Sequence, residues 1–214
     1  VRAVYTEPVR TPISFERAAA CMRWALKTHT GAHTSDEVLA LALAKTALET
    51  GRWTQIWCSN WGNVKAGNDY PGMFTCITLN EVLMRGGKAT VVWFAPEGEL
   101  SAAPSRGGKL VGPPIAVPDG HPQTRMRAFA NEYDGVDAYV SFVAGGRYAE
   151  AWGRLLAGDA VGYVHGLKAK GYFTADEATY AKGVVSLQRE FLSRLQREPP
   201  KPADVEWERL KDLV

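Results

Sequence analysis

Glu49 stands where a helical run meets a glycine, in Ala47-Leu48-Glu49-Thr50-Gly51-Arg52-Trp53, and Trp57, Asn60, Trp61, Gly62, Asn63 and Lys65 follow closely. A carboxyl in the last turn of a helix lies at the negative end of the helix dipole, and apolar walls disfavour its charged form. Both effects favour a glutamic acid that holds its proton near neutral pH. A general acid needs that proton to protonate a glycosidic oxygen. Trp53, Trp57, Asn60, Trp61 and Asn63 are the candidate substrate contacts: tryptophans stack on sugar faces, and amides bond acetamido or hydroxyl groups. The plainer alternative is a solvated glutamate beside tryptophans that belong to the core. The acid, the aromatics and the amides fall in one short span, which is more specific than any one of them.

These residues need a rigid helix behind them. Val38 to Leu48 supplies one, with Val38, Leu41, Ala42 and Leu48 as its expected buried face and Gly51 as its stop. Thr34-Ser35-Asp36-Glu37 reads as a capping box, a hydroxyl followed three residues later by a glutamate. Before it, Ser14 can cap a core helix from Phe15 to about Thr28, and residues 1–13, with Pro8 and Pro12, read as an extended arm. From Gly67 to about Ala128 glycine and proline become frequent, and short β-rich runs stand at Phe74 to Leu79 and Thr90 to Phe94. Gly86-Gly87 between them predicts a hairpin. A short strand from Arg125 to Phe129 leads to helices over Asp134 to Val143, Tyr148 to Leu156, and Ala160 to Lys170, the last capped by Asp159 and stopped by Gly171. Thr174-Ala175-Asp176-Glu177 reads as a second capping box, opening a long helix to about Leu195. Glu198-Pro199-Pro200-Lys201-Pro202 is a stiff linker to a short amphipathic helix over 203–214.

Leu41-Ala42-Leu43-Ala44-Lys45-Thr46-Ala47-Leu48-Glu49-Thr50-Gly51-Arg52-Trp53 with Asn60-Trp61-Gly62-Asn63-Val64-Lys65-Ala66 resembles the catalytic segment of the glucosaminidase family of peptidoglycan hydrolases, which includes the muramidase domain of flagellar rod-cap proteins. Trp61 stands where that family usually has Phe, and Asn63 adds a polar side chain after the glycine. Further on, Arg127-Ala128-Phe129, Tyr139-Val140-Ser141-Phe142, Arg147-Tyr148, and Gly171-Tyr172 with Tyr180-Ala181 resemble later family motifs in the same order. The resemblance runs from about Ser14 to Leu195. It implies an α+β, lysozyme-like fold: a mostly helical α-lobe, a small β-hairpin lobe, and a glycan-binding cleft between them. It also implies Glu49 as acid, Tyr172 or Tyr180 close to it, and a second carboxylate that falls here on Glu81, in the alternating stretch Thr78-Leu79-Asn80-Glu81-Val82. Glu81, or else the substrate's own acetamido group, would handle the oxocarbenium-like centre.

The expected organisation is therefore an arm over 1–13, a lysozyme-like domain over 14–196 with its β-lobe at about 67–128, and a tail over 197–214. With 214 residues, 46% hydrophobic and 22% charged, the chain is ordinary for one globular domain. A net charge of +2 gives no case for nucleic acid. No apolar run approaches about 18 residues, so membrane insertion is not expected. Residues 1–5 lack a leader pattern, so action at the cell wall or in the periplasm implies export by another route or a leader already removed. Cys21, Cys58 and Cys76 allow three pairings; reduced thiols are expected, and neither a metal site nor a cofactor is.

The expected activity is cleavage of β-1,4 bonds in peptidoglycan glycan strands, as an endo-β-N-acetylglucosaminidase. A muramidase or lytic transglycosylase is the alternative on the same substrate, and a non-catalytic wall-binding module of a phage tail or secretion machine is the alternative of another class. A delivery apparatus, or an immunity protein if the chain is an effector, would be the partner. Arg106, Lys109, Arg125 and Arg127 around the β-lobe either meet peptide-stem carboxylates or simply solvate a loop.

Overall fold

The computed structural model describes residues 4–67, 70–76, 80–85, 88–95, 115–116 and 125–197; for Cys76, 80–85, 88–95 and 115–116 the description is of the backbone. The chain begins with a short strand, β1 (Val4–Tyr5), and then two helices, α1 (Phe15–Thr30) and α2 (Asp36–Glu49). The strands β2 (Met73–Cys76), β3 (Asn80–Arg85), β4 (Lys88–Ala95), β5 (Ile115–Ala116) and β6 (Arg125–Arg127) follow. Four helices complete the described chain: α3 (Glu132–Ala144), α4 (Ala149–Leu156) after a single 3-10 turn at Gly146–Tyr148, α5 (Ala160–Ala169) and α6 (Glu177–Arg197).

At the centre lies α2. Every residue from Val38 to Ala47 is buried, including Lys45 and Thr46, as expected of a helix wrapped by neighbours rather than lying on a surface. Alanines at 40, 42, 44 and 47 let those neighbours close in: α6 packs along α2, and α1 and α4 touch it as well. The single buried face expected from the sequence is therefore too narrow, and Leu48, assigned to that face, is 36% exposed. Phe15 of α1, Phe191 of α6 and Trp53 form one ring cluster, with Phe15 and Phe191 5.3 Å apart and the Trp53 and Phe191 rings stacked at 5.3 Å.

Both capping boxes are displaced. Ser35 rather than Thr34 caps α2, accepting from the Val38 amide at 3.4 Å, and the Thr34 hydroxyl is buried without a partner. At α6 the Asp176 carboxylate accepts from the Thr179 amide at 2.9 Å. A carboxylate or hydroxyl nearer the first helical residue wins because the cap must reach the N2 or N3 amide. Ser14, Asn131 and Asp159 cap α1, α3 and α5. No described helix is long and apolar enough to cross a membrane.

The strands form two three-stranded sheets, ordered β1-β2-β6 and β3-β4-β5. The expected hairpin of 74–79 with 90–94 is thus corrected. β2 pairs with β1 in parallel and with β6 antiparallel, whereas β4 takes β3 as its antiparallel partner. The register Arg85↔Lys88 leaves two positions for the connection; Gly86 and Gly87, expected there, lie outside the described residues, as do the linker and the helix expected over 203–214.

The arm is knitted into the domain. After β1, the Thr11 amide donates to the Ile56 carbonyl at 2.9 Å, the Cys58 amide donates to the Val9 carbonyl at 2.7 Å, and Arg10 bridges Trp57. Cys21 and Cys58 are buried free thiols, so Cys58 takes part in no bridge.

Candidate active site

The C-terminus of α2 closes with the Thr50 amide on the Thr46 carbonyl and the Arg52 amide on the Ala47 carbonyl at 2.8 Å. Gly51 sits at φ 55°, in the left-handed conformation that glycine adopts without Cβ strain. This stop leaves Glu49 in the final turn with its side chain 19% exposed.

Two donors converge on the same carboxyl oxygen. Glu49 Oε1 accepts from Lys45 Nζ at 3.0 Å and from the Tyr180 hydroxyl. Among the described residues nothing bonds Oε2. Lys45 lies one helical turn before Glu49 on the same face, fully buried, with its ammonium over the Tyr172 ring at 4.0 Å. Burial lowers the Lys45 pKa, and Glu49 opposes that shift through its charge and its hydrogen bond.

The tyrosines are fixed from behind. Tyr180 stacks face to face on Phe173 at 3.9 Å, and Tyr172 donates to the Gly62 carbonyl at 2.9 Å. Gly62 allows that approach, since a Cβ there would come within 2.4 Å of the Tyr139 ring and 2.7 Å of the Tyr172 hydroxyl. Tyr139 and Tyr163 share a buried hydrogen bond at 3.1 Å. Burial first, and then the Glu49 charge, hold the Tyr172 and Tyr180 phenols well above their ordinary range. Both therefore stay neutral donors.

The loop from Arg52 to Asn63 carries the remaining candidates. Asn63, at φ 48°, donates from Nδ2 to the Glu49 carbonyl at 2.8 Å and so fastens the loop to the acid's own backbone. Asn60 is spent inside the loop, its side chain donating to the Val64 carbonyl and accepting from the Val64 amide. Trp53 and Trp61 are 2% and 0% exposed. Their indole N–H groups donate to the Thr46 hydroxyl and the Glu132 carbonyl. Asn60, Trp53 and Trp61 are thus corrected from glycan contacts to scaffold, because neither ring has a face left for a sugar. Trp57 is half-buried with the Arg10 guanidinium over its ring at 5.6 Å. Glu81 falls in β3 opposite Val92; its side chain lies outside the described part of the structure.

Glu49, Tyr172, Tyr180 and Asn63 are therefore brought together. The sequence reading missed Lys45, although its spacing of four from Glu49 on one helix was the available signal. Among the described residues no group of three or more His, Cys, Asp or Glu is placed to hold a metal ion.

Comparison with solved structures found two similar chains. A peptidoglycan hydrolase mutant from Sphingomonas sp. A1 is 20% identical over 83% of this chain and 94% of its own, with a TM-score of 0.50. The glycoside hydrolase domain of Salmonella typhimurium FlgJ is 16% identical over 92% of this chain and 99% of its own, with a TM-score of 0.45. The first likeness agrees with the helices and small sheets described above, and the fold is α+β and lysozyme-like. No family model and no curated protein matches the chain.

Proposed function

We propose that the chain is a glycoside hydrolase that cleaves β-1,4 bonds in the glycan strands of peptidoglycan, acting as an endo-β-N-acetylglucosaminidase with Glu49 as general acid. The observation that carries this reading is the one-sided bonding of the Glu49 carboxyl. Lys45 and Tyr180 hold Oε1, and Oε2 has no partner among the described residues. An acid held in this way delivers its proton from Oε2 to the glycosidic oxygen, and the carboxylate left behind meets two donors already in place. The positive charge developing on the sugar falls to Glu81 or to the substrate's acetamido group. The lysozyme-like fold and the order of the sequence motifs support the choice of a glycan.

The test is digestion of purified peptidoglycan by the parent and by Glu49→Gln, with mass spectrometry of the borohydride-reduced fragments. Glutamine keeps the shape and removes the proton, so release is expected to fall by about 10²-fold or more. Reduced N-acetylglucosamine ends would fix the bond, whereas reduced muramic ends or 1,6-anhydro ends would replace the glucosaminidase assignment. Equal release by both proteins would remove Glu49 from the acid's role. A parent that binds sacculi and releases nothing would be a wall-binding module.

A further inference from the structure

Arg127, on β6, is a cation with no counter-charge among the described residues. Its guanidinium lies between two rings, Tyr70 at 4.6 Å and Phe142 at 5.2 Å, and its Nε is buried with no hydrogen-bond partner. Among the described residues no carboxylate pairs with it. Burial works against its charge and lowers its pKa, with the Tyr70 phenol pulling the other way. Aromatic faces steady a guanidinium but leave its N–H groups unsatisfied, which is costly in a half-buried place.

The same side chain lines an open cavity of about 430 Å³, together with Ser141 and Phe142 of α3 and with Arg147 and Tyr148 of the 3-10 turn. Arg147 is fixed there by two hydrogen bonds to the Lys170 carbonyl, at 3.1 and 2.5 Å. Two arginines and a serine thus line one space, and among the described lining residues there is no carboxylate. The cavity adjoins the acid through shared rings. Phe142 and Tyr148 both pack on Tyr172, at 6.1 and 5.6 Å, and Tyr172 carries the Lys45 ammonium on its face.

Building on the proposed glycan cleavage, we infer that this cavity is a subsite for a carboxylate of the peptide stems that branch from the glycan strand, with Arg127 as its fork. A guanidinium matches a carboxylate bidentately, and a stem carboxylate entering the cavity would supply the counter-charge that Arg127 lacks among the described residues. Stems branch sideways from the sugars of a strand lying across Glu49, and two rings of this cavity, Phe142 and Tyr148, reach that side of the molecule through Tyr172. Of the basic residues noted in the sequence, Arg125 stacks on Phe74 instead; Arg106 and Lys109 lie outside the described residues.

The test uses the full chain carrying Glu49→Gln, so that strands bind without being cut. Three soluble strand preparations are compared by calorimetry: stem-bearing, stem-bearing with the stem carboxylates amidated, and stem-free, in which only the lactyl carboxylate remains. Stem-bearing strands are expected to bind about tenfold more tightly than amidated ones. Added Arg127→Gln should bring that ratio close to one, and Arg127→Lys, which keeps the charge and loses the fork, should leave part of it. Thermal melting and near-ultraviolet circular dichroism verify the fold of both variants, and a merely structural arginine would weaken all strands together with the ratio intact. An unchanged ratio in Arg127→Gln, or no preference for free carboxylates in the parent, overturns the subsite and leaves the glycosidase reading standing. Stem-free strands that bind as tightly as stem-bearing ones and lose affinity in Arg127→Gln would move the contact to the lactyl group. If none of the three strands binds, the glycan reading falls and the subsite with it.

Discussion

At the scale of single residues, the Lys45–Glu49 pair distinguishes the proposed acid from a carboxyl simply placed against tryptophans. A fully buried ammonium is held in place by one carboxylate oxygen and the Tyr172 and Tyr180 rings, and removing it takes a donor from the charge that the proposed proton transfer leaves on Glu49. Lys45→Met is expected to fold and to cleave glycan about 10²-fold more slowly, read from initial rates of fragment release. Its stability should also change with pH in a definite direction. The Lys45 pKa is lowered from 10.5, so the native state holds this proton less tightly than the unfolded chain. The associated penalty is present in full below the lowered value and disappears as pH rises toward 10.5. Parent stability minus that of Lys45→Met should therefore increase from neutral pH toward 10.5, measured by urea unfolding. The grouping of Glu49 with the two tyrosines was legible because their motifs keep an order along the chain, whereas Asn63, expected as a substrate contact, gives its amide to the Glu49 carbonyl. Lys45 was not, because a lysine inside an apolar helix looks like a surface residue whose stem lies on the core. Trp53 and Trp61 misled for the converse reason: composition does not distinguish a ring that lines a cleft from one that fills the interior.

At the scale of elements, the helices were read nearly to their ends, whereas their caps and the strand pairings were not. Periodicity fixes the body of a helix, but several neighbouring side chains can reach the first free amides, and only the backbone entry angle decides among them. Ser35→Ala is expected to cost about 1 kcal/mol, whereas Thr34→Val should be neutral or stabilising, since it removes a buried hydroxyl that bonds nothing. Denaturant midpoints of the two variants test this assignment against the capping box. Strand pairing escaped the reading because β1 is two residues long and its partner β2 lies far along the chain, so no local pattern announces the match.

At the scale of the whole molecule, the arm and the loop behind the acid form one unit. Arg52, Trp53, Cys58, Ser59 and Asn63 all sit at positive φ, a conformation that costs a residue with a Cβ and persists only where surroundings enforce it. The arm enforces it at Trp53, Cys58 and Ser59. Thr11 bonds the Ile56 carbonyl through its amide, and its hydroxyl accepts from the Ser59 amide at 2.9 Å. Thr11→Val should leave that amide unpartnered, cost about 1–3 kcal/mol, and reduce cleavage along with stability. Cleavage assayed below the melting range, beside a thermal melt, reads both effects.

The arm's pairing also closes a long stretch of chain, from residues 4–13 to residues 53–74, and carries a loop-closure entropy that the contacts between neighbouring helices do not. Amides of the loop and of β1 should then exchange with solvent through partial openings well below the global unfolding free energy, while those of α2 and α6 stay protected. In such an opening the helical core survives and Asn63 loses its fixed position at the end of α2. The proposed cleavage would then fade before the helices do, and heat would switch it off before the core unfolds.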